Sequence, residues 1–234
     1  MKNLAIIPAR SGSKGLKDKN IKMLNEKPLL AYSIEAAKES GLFDEIMVST
    51  DSEEYAEIAK QWGAKVPFLR LQELSNDTAS SWEVVRDVIE RYKNSGLEFD
   101  TVALLQPTSP LRSSDDIING YEVMKEMSAN FVVAVCEMDH SPLWANTLPT
   151  DFSMENFIRP EVVTMPRQSI PTYYRINGAL YIIKVDYLMK TTDVYSEKSY
   201  ATIMKKESSI DIDDQMDFTI AEVLMTERNK RQNN

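Results

Sequence analysis

A basic loop near the N-terminus contains the residue types that bind phosphate. Residues 10–27 hold six cations and two anions, a local charge of +4 on a chain whose formal net charge is −9. Gly12 and Gly15 allow close approach to the backbone, and Ser11 and Ser13 can donate hydrogen bonds to phosphate oxygens. The loop matches neither the Walker A nor the Gly-x-Gly-x-x-Gly pattern. Its charge favours a polyphosphate site, and a solvated surface loop is the alternative.

An acidic segment near the C-terminus has the pattern of a metal site. Residues 209–227 include six acidic side chains and no basic one. In an extended segment, Asp211 and Asp213 would share one face, with their backbones about 7 Å apart. Two carboxylates on one face suit Mg²⁺, which also takes substrate phosphates and water as ligands. The alternative is an acidic cap for the following helix, formed by Asp213 or Asp214.

Four further polar side chains are candidates for substrate binding. Arg159, Arg167 and Arg175 follow one another at eight-residue intervals beside prolines or tyrosines. Forked guanidinium groups suit a carboxylate or a phosphate, although arginines in a subunit interface would look the same. Gln106 follows an apolar run, and its amide could contact a base edge or a sugar hydroxyl.

The elements that must position these residues alternate between short apolar runs and longer helical segments. Strands are predicted at Leu4–Ile7, Glu45–Ser49, Lys65–Leu69, Thr101–Leu105, Phe131–Cys136, Ala179–Ile183 and Ala201–Met204. Helices are predicted at Pro28–Ser40, Ser52–Trp62, Ser80–Asn94, Ser114–Glu126 and Asp214–Glu227, with a capping box from Ser80 to Glu83. This order predicts an α/β fold with a doubly wound, mostly parallel sheet. The loop after the first strand and Gln106 should then meet at the carboxyl edge, where such sheets bind ligands.

The pattern stops between about residues 138 and 175, where five of the ten prolines are found. An insert of this length is commonly a functional loop, a lid or an arm that packs on another subunit. We therefore expect a single domain over residues 1–234 that carries an arm at about 138–175.

The composition restricts the class of protein. The hydrophobic fraction is 43% and the charged fraction is 27%, as in soluble folded chains. Binding to nucleic acid or to an anionic membrane is not expected of a chain with this acidic charge. Cys136 is the single cysteine, inside an apolar run, so a buried strand thiol is expected and an intramolecular disulfide is excluded. No signal-like or membrane-spanning stretch is found, and a cytoplasmic location is expected.

Seven motifs in register resemble the acylneuraminate cytidylyltransferases, which are the CMP-sialic acid synthetases. They are Pro8–Gly15, Ser49–Asp51, Asp77–Ser81, Leu105–Arg112, Pro166–Gln168, Asn177–Ala179 and Ile210–Asp213. The resemblance implies a nucleotide-diphospho-sugar transferase-like fold, a homodimer with a dimerisation arm, and Mg²⁺. It also implies transfer of CMP from CTP to the anomeric hydroxyl of an acidic nine-carbon 2-keto sugar, with release of pyrophosphate.

The resemblance implies roles for single residues. The nucleotide would be bound by Arg10, Ser13, Lys14, Lys19, Asn20 and Ser80, with Arg10 and Lys14 also acting in catalysis. The sugar or the triphosphate would be contacted by Gln106, Arg167 and Arg175, and Mg²⁺ would be held by Asp211 and Asp213.

The segment from His140 to Trp144 departs from the family pattern. The sialic-acid members carry a basic residue where this chain has Trp144, and an indole ring cannot make the same contact with a sugar oxygen. Legionaminic acid is therefore as good a candidate as N-acetylneuraminic acid, ahead of pseudaminic acid and Kdo. The group that accepts the hydroxyl proton is left open between His140, the sole histidine, and a metal-bound water or hydroxide.

Two other functions stay open from the sequence. A glycosyltransferase with a nucleotide-sugar donor also uses an Asp-x-Asp motif, which Asp211 and Asp213 formally match. A non-catalytic nucleotide-binding dimer could keep the same fold.

Overall fold

The computed structural model describes residues 1–76 and 78–232, without the side chains of Arg167 and Gln232. Its strands are β1 Asn3–Pro8, β2 Met23–Leu24, β3 Lys27–Pro28, β4 Glu45–Ser49, β5 Thr101–Leu104, β6 Phe131–Glu137, β7 Tyr174–Lys184 and β8 Ser199–Ile203. Its α-helices are α1 Leu29–Ser40, α2 Glu53–Gln61, α3 Ser81–Asn94, α4 Ser114–Glu126, α5 Pro160–Val163, α6 Val185–Leu188 and α7 Gln215–Gln232. Short 3₁₀ helices lie at Lys19–Ile21, Gln72–Leu74, Pro142–Trp144, Arg167–Ser169 and Lys206–Ser208.

Six strands form one mixed sheet in the order β4-β1-β5-β7-β6-β8, and β2 and β3 form a separate hairpin. β1 is parallel to β4 and to β5, and β6 is parallel to β8. β7 runs antiparallel to both of its neighbours, β5 and β6. The predicted α/β class with a mostly parallel sheet is confirmed.

Helices cover both faces of this sheet because successive side chains of its buried strands point in opposite directions. Along β1, Ala5 and Ile7 pack in one apolar cluster with Leu30 and Ile34 of α1. Leu4 and Ile6 pack in the other cluster with residues of α3, including Val85 and Val88. Each fully buried leucine, isoleucine or valine side chain contributes about 1.5–3 kcal/mol to the stability of the fold. The rigid sheet between these layers fixes the positions from which the strand-end loops leave.

Side-chain caps define where the helices begin. Ser80 accepts a hydrogen bond from the Glu83 N–H, and the Glu83 carboxylate accepts one from the Ser80 N–H. Ser113 and Asp116 form the same reciprocal pair at the start of α4. The capping box predicted at Ser80 is therefore confirmed.

Two of the predicted strands differ from the structure. The predicted strand at Lys65–Leu69 is reduced to one bridge, in which Lys65 pairs with Met47. Pro67 has no N–H to donate and cannot continue the ladder. β7 begins at Tyr174, five residues before the predicted start, so Arg175 lies in a strand and not in the arm. The β2–β3 hairpin was not predicted.

The chain between β6 and β7 lies where the insert was predicted; we call it the arm and define it as residues 138–173. It contains α5 and two of the 3₁₀ helices and carries exposed apolar side chains. Cys136, just before the arm, is buried in β6 opposite Arg175, as expected. Within the described residues, no helix combines the length and the apolar character that crossing a membrane requires.

Candidate functional site

A polar cleft of about 510 Å³ opens at the carboxyl ends of β1 and β5. Four segments that are distant in the sequence form its wall: the loop after β1, the stretch from Arg70 to Val84, the loop after β5, and the segment before α7. The lining side chains that the sequence had singled out are Arg10, Ser13, Lys14, Lys19, Asn20, Gln106, Asp211 and Asp213. The cleft thus joins the basic loop and the acidic pair in one site.

The loop after β1 is held to the body of the protein by side-chain hydrogen bonds. Buried Asn20 donates from Nδ2 to the Arg10 carbonyl oxygen at 3.0 Å. The Tyr55 hydroxyl donates to the Asp18 carboxylate at 3.1 Å, where Asp18 has a left-handed backbone with φ of 51°. Ser11 does not line the cleft, because its N–H and its hydroxyl both donate to Asp51. The expectation that Ser11 donates to phosphate is therefore corrected.

Arg70 also lines the cleft, and sequence reasoning missed it. Its guanidinium donates to the carbonyl oxygen of Ser49 at 2.6 Å and to the Ser49 hydroxyl at 3.1 Å. Burial lowers the pKa of Arg70 to about 10; nearby Asp51 opposes this shift and the positive charge of Arg10 adds to it. Arg70 remains protonated at neutral pH. Its only sequence signal was a cation directly after an apolar run, at the sheet edge that carries the site.

Asp211 is a largely buried carboxylate that faces the cleft. Burial raises its pKa above the usual range, and a hydrogen bond with the Thr108 side chain opposes the shift. Its Oδ1 atom has no hydrogen-bond partner among the described residues. The side chain of Asp213 is 83% exposed, and its Oδ1 lies 3.5 Å from Nζ of Lys19. Lys19 also donates to the Ile212 carbonyl oxygen at 2.6 Å, which ties the basic loop to the acidic segment.

The helix cap that was predicted at Asp213 or Asp214 is formed by Asp214. Asp214 accepts hydrogen bonds from the N–H groups of Met216 and Asp217 at 2.7 and 3.0 Å. Asp213 is therefore not needed as the cap of α7, and it lines the cleft together with Asp211.

The donor set at Asp211 and Asp213 fits Mg²⁺. Among the described residues, no group of three or more His, Cys, Asp or Glu side chains could hold a metal. Mg²⁺ does not need such a group, since it is commonly held by one or two carboxylates plus substrate phosphates and water. A buried carboxylate oxygen without a protein partner is the kind of atom that such an ion satisfies.

Gln106 lies beside Asp211 because Gly178 leaves room for both side chains and buried Arg112 holds the Gln106 backbone. Gly178 has φ of 76°, and a Cβ there would lie 2.9 Å from Oε1 of Gln106 and 3.4 Å from Oδ2 of Asp211. Arg112, 2% exposed, donates to the carbonyl oxygens of Gln106 and Ala179 at 3.2 and 2.9 Å. The two residues fix the position from which the Gln106 amide enters the cleft.

The predicted site residues Ser80, Arg159 and Arg175 are not among the described residues that line the cleft. The Ser80 hydroxyl is used in the helix cap, while its neighbours Ala79 and Ser81 line the cleft. Arg175 lies in β7 and donates from Nη2 to the Ser209 carbonyl oxygen at 3.0 Å, at the start of the acidic segment. The side chain of Arg167 lies outside the described part of the chain.

A second cavity of about 870 Å³ lies at the base of the arm, and His140 and Trp144 line it. In the described part of the chain, no residue lines both this cavity and the cleft. His140 is therefore not among the described residues that line the cleft.

Comparisons with known proteins identify the family of this chain. A family model described as cytidylyltransferase matches residues 4–233. An N-acylneuraminate cytidylyltransferase of Escherichia coli is 40% identical over 230 residues, which are 98% of this chain and 54% of that protein. The chain thus spans about half the length of that relative. A CMP-N,N'-diacetyllegionaminic acid synthase of Legionella pneumophila is 37% identical over 232 residues, 96% of this chain and 97% of that protein.

A solved structure shows the same fold. The structure of a CMP:2-keto-3-deoxy-manno-octonic acid synthetase complexed with CTP matches with a TM-score of 0.72 at 16% sequence identity. The match covers 97% of this chain and 100% of that chain.

Proposed function

The chain belongs to the cytidylyltransferase family, and from this premise we propose that it transfers CMP from CTP to the anomeric hydroxyl of a nine-carbon 2-keto acid sugar and releases pyrophosphate. The observation that carries the proposal is the cleft in which the cationic side chains of the loop after β1 and the Asp211–Asp213 pair line the same space. A nucleoside triphosphate needs both, since its phosphates are bound by cations and its metal by carboxylates.

The basic loop would bind the triphosphate and neutralise charge during the reaction. Arg10 and Lys14 line the cleft beside Ser13, and all three can donate to phosphate oxygens. As the reaction proceeds, negative charge moves toward the leaving pyrophosphate, and fixed cations stabilise it there. The hydrogen bond from Asn20 to the Arg10 carbonyl oxygen positions Arg10 before substrate arrives.

The bond changes are those of an in-line displacement. The anomeric hydroxyl of the sugar attacks the α-phosphorus of CTP, loses its proton and forms a new P–O bond, while the bond between the α-phosphorus and the bridging oxygen to the β-phosphate breaks and pyrophosphate leaves. Gln106 would bind a sugar oxygen, and Arg175 would act near the sugar or the triphosphate. Asp211 and Asp213 would hold Mg²⁺, which when bound supplies charge neutralisation on the phosphates.

The sugar is proposed to be an N-acylneuraminic or a legionaminic acid. The two relatives described above carry these two names, and both align with nearly all of this chain. Trp144 presents an aromatic surface in the cavity at the base of the arm. Such a surface suits an N-acyl or deoxy carbon of the sugar better than an oxygen.

We also propose a homodimer that works in the cytoplasm. Exposed apolar side chains on the arm support self-association. The one cysteine, buried and unpaired, fits a reducing compartment.

The experiment is pyrophosphate release by the purified protein with CTP and Mg²⁺. The acceptors are N-acetylneuraminic, legionaminic and pseudaminic acids and Kdo, and ATP, GTP and UTP replace CTP as controls. Release with CTP and one nine-carbon acid is expected. Hydrolysis of a nucleotide-sugar without pyrophosphate would instead support a glycosyltransferase, and CTP binding without turnover on any acceptor would support a non-catalytic binding protein.

A further inference from the structure

One carboxylate behind the basic loop holds the loop by two hydrogen bonds. Oδ1 of Asp51 accepts from the Ser11 N–H at 2.7 Å, and Oδ2 accepts from the Ser11 hydroxyl at 2.9 Å. Asp51 follows the end of β4, and it does not line the cleft. The sequence had placed it in a motif without a role.

The loop is also held just before Ser11, since the Ala9 N–H donates to the Ser49 carbonyl oxygen at 2.9 Å and the Arg10 carbonyl oxygen accepts from Asn20 at 3.0 Å. Between the end of β1 and the 3₁₀ helix at Lys19–Ile21, the described residues form no helix and no strand. Ser11 lies directly between Arg10 and Gly12, and Gly12 has φ of 72° and open space around its Cβ position. Lys14 and Gly15, further along, are exposed. A segment of this kind is mobile unless side chains tie it down.

We propose that Asp51 is a positioning residue for the reaction, which acts by holding Ser11 so that Arg10 and the loop beyond Gly12 are ordered before CTP binds. This inference rests on the proposed function. Without the two bonds, the loop would have to become ordered during binding, and the conformational entropy lost would reduce CTP affinity.

Substitutions at Asp51 can distinguish a positioning role of its two hydrogen bonds to Ser11 from a purely electrostatic role of its charge. An asparagine at position 51 removes the negative charge but keeps the shape. Its Oδ1 can accept from the Ser11 N–H, and its Nδ2 can donate to the Ser11 hydroxyl, which is both donor and acceptor. An alanine at position 51 removes both bonds. The pair Asp51→Asn and Asp51→Ala therefore separates the loss of charge from the loss of the two hydrogen bonds.

Asp44 provides a matched control at the other end of β4. It precedes β4 at the opposite end, and its Oδ2 accepts from the Asn3 N–H at 2.7 Å. Asp44→Ala thus also deletes a carboxylate that holds β1 to the end of β4, but at the edge of the sheet remote from the cleft.

The first measurement is trypsin cleavage of the ligand-free protein after Lys14 and Lys17, followed by mass spectrometry, together with the thermal unfolding temperature. Asp51→Ala should raise cleavage at these sites about tenfold, while its unfolding temperature falls no more than that of Asp44→Ala. Asp51→Asn should keep cleavage within about threefold of the original. Cleavage in Asp51→Ala that is no faster than in Asp44→Ala would overturn the proposal.

The second measurement is steady-state pyrophosphate release. Asp51→Ala should raise KM for CTP about tenfold, as the loss of one or two charge-assisted hydrogen bonds predicts, and change kcat less than threefold. Asp51→Asn should restore KM, and Ser11→Ala should add nothing to Asp51→Ala. Equal defects in the two Asp51 variants, or additive effects of the two positions, would contradict positioning through Ser11. If the original protein releases no pyrophosphate, the proposed function fails, while the cleavage measurement still tests Asp51.

Discussion

Arg10 combines two properties at the scale of the single residue: it lines the cleft, and its backbone is fixed. Its Nη1 donates to the Ser75 carbonyl oxygen at 3.2 Å, and its own carbonyl oxygen accepts from Asn20. A cation held in this way can stabilise charge without reorganising during the reaction. Because Arg10 is preorganised, we expect its removal to slow the chemical step.

Arg10→Ala should lower kcat for pyrophosphate release about 10²-fold, as loss of one preorganised electrostatic donor does. Lys17→Ala is the matched control, because Lys17 is an exposed cation of the same loop that does not line the cleft. It should change kcat less than twofold. Equal losses in the two variants would mean that the net charge of the loop matters and the position of Arg10 does not.

Asp211→Asn should raise the Mg²⁺ concentration for half-maximal activity about tenfold or more, since an amide is a poorer ligand for a hard cation than a carboxylate. Asp214→Asn removes the same charge three residues away and should have little effect, because asparagine caps a helix as well as aspartate does. The measurement is a Mg²⁺ titration of pyrophosphate release. An unchanged titration for Asp211→Asn would return this segment to a purely structural role.

The same substitution has a predicted effect on stability. Burial raises the folded-state pKa of Asp211 above its unfolded value, so the folded state binds the proton more tightly. Stability from this group is therefore present at low pH and is lost as pH rises through the raised pKa. At neutral pH, metal-free Asp211→Asn should unfold at a temperature no lower than the original protein. A clear drop in differential scanning calorimetry would contradict a destabilising buried charge.

At the scale of the element, the site depends on close packing between the basic loop and the segment before α7. A Cβ added to Gly15 would overlap the carbonyl oxygen of Asp213. Backbone meets backbone at this point, so no side chain can move aside to make room. The two segments that carry the cations and the carboxylates are thus held together at Gly15.

Gly15→Ala should therefore lower kcat/KM for CTP and weaken the Mg²⁺ response together, with a loss of about 1–3 kcal/mol in the free energy of unfolding from overpacking. Gly41→Ala is the control for a simple loss of stability. Gly41 ends α1 with φ of 65° and open space around it, so alanine there is strained but distant from the cleft. Both variants should unfold earlier, and Gly15→Ala alone should change the CTP and Mg²⁺ dependence.

The sequence predicts elements whose signal is local and misses those set by contacts between distant segments. The strand β1 and the loop that follows it were predicted because apolar alternation and the charge pattern lie in one stretch of chain. Arg70 was missed because its place depends on the bridge from Lys65 to Met47 and on the bend at Pro67 and Phe68. Arg175 was placed in the arm because the sequence does not reveal that β7 pairs back along β6.

Ser80 shows a second limit of sequence reasoning. One hydroxyl was predicted both to cap α3 and to contact the nucleotide, and each prediction had a sound local basis. In the structure, the hydroxyl accepts the Glu83 N–H and Ser81 lines the cleft instead. Residue type and spacing identify what a side chain can do, and the competition between two uses is decided by the fold.

At the scale of the whole molecule, the folding of a single chain does not explain why the arm carries exposed apolar side chains. Leu148 is 53% exposed and Phe152 is 74% exposed, and Trp144 and Met154 on the same arm are also exposed. Exposed apolar groups that are concentrated on one projecting segment indicate a contact with another molecule. The cavity around Trp144 shares no lining residue with the cleft among the described residues. In the proposed homodimer, the arm of a second copy would be the segment that covers this surface.

The proposed homodimer should be visible in light scattering coupled to size exclusion, with about twice the mass of the chain. The double variant Leu148→Glu/Phe152→Glu should run as a monomer, because two carboxylates in an apolar contact lose hydration without gaining partners. Met127→Glu, which changes an exposed methionine after α4, should stay dimeric. The monomer should keep its CTP affinity, since the cleft is formed by one chain, and should show a raised KM for the sugar. Full activity with an unchanged sugar KM in a proven monomer would mean that each chain binds both substrates alone.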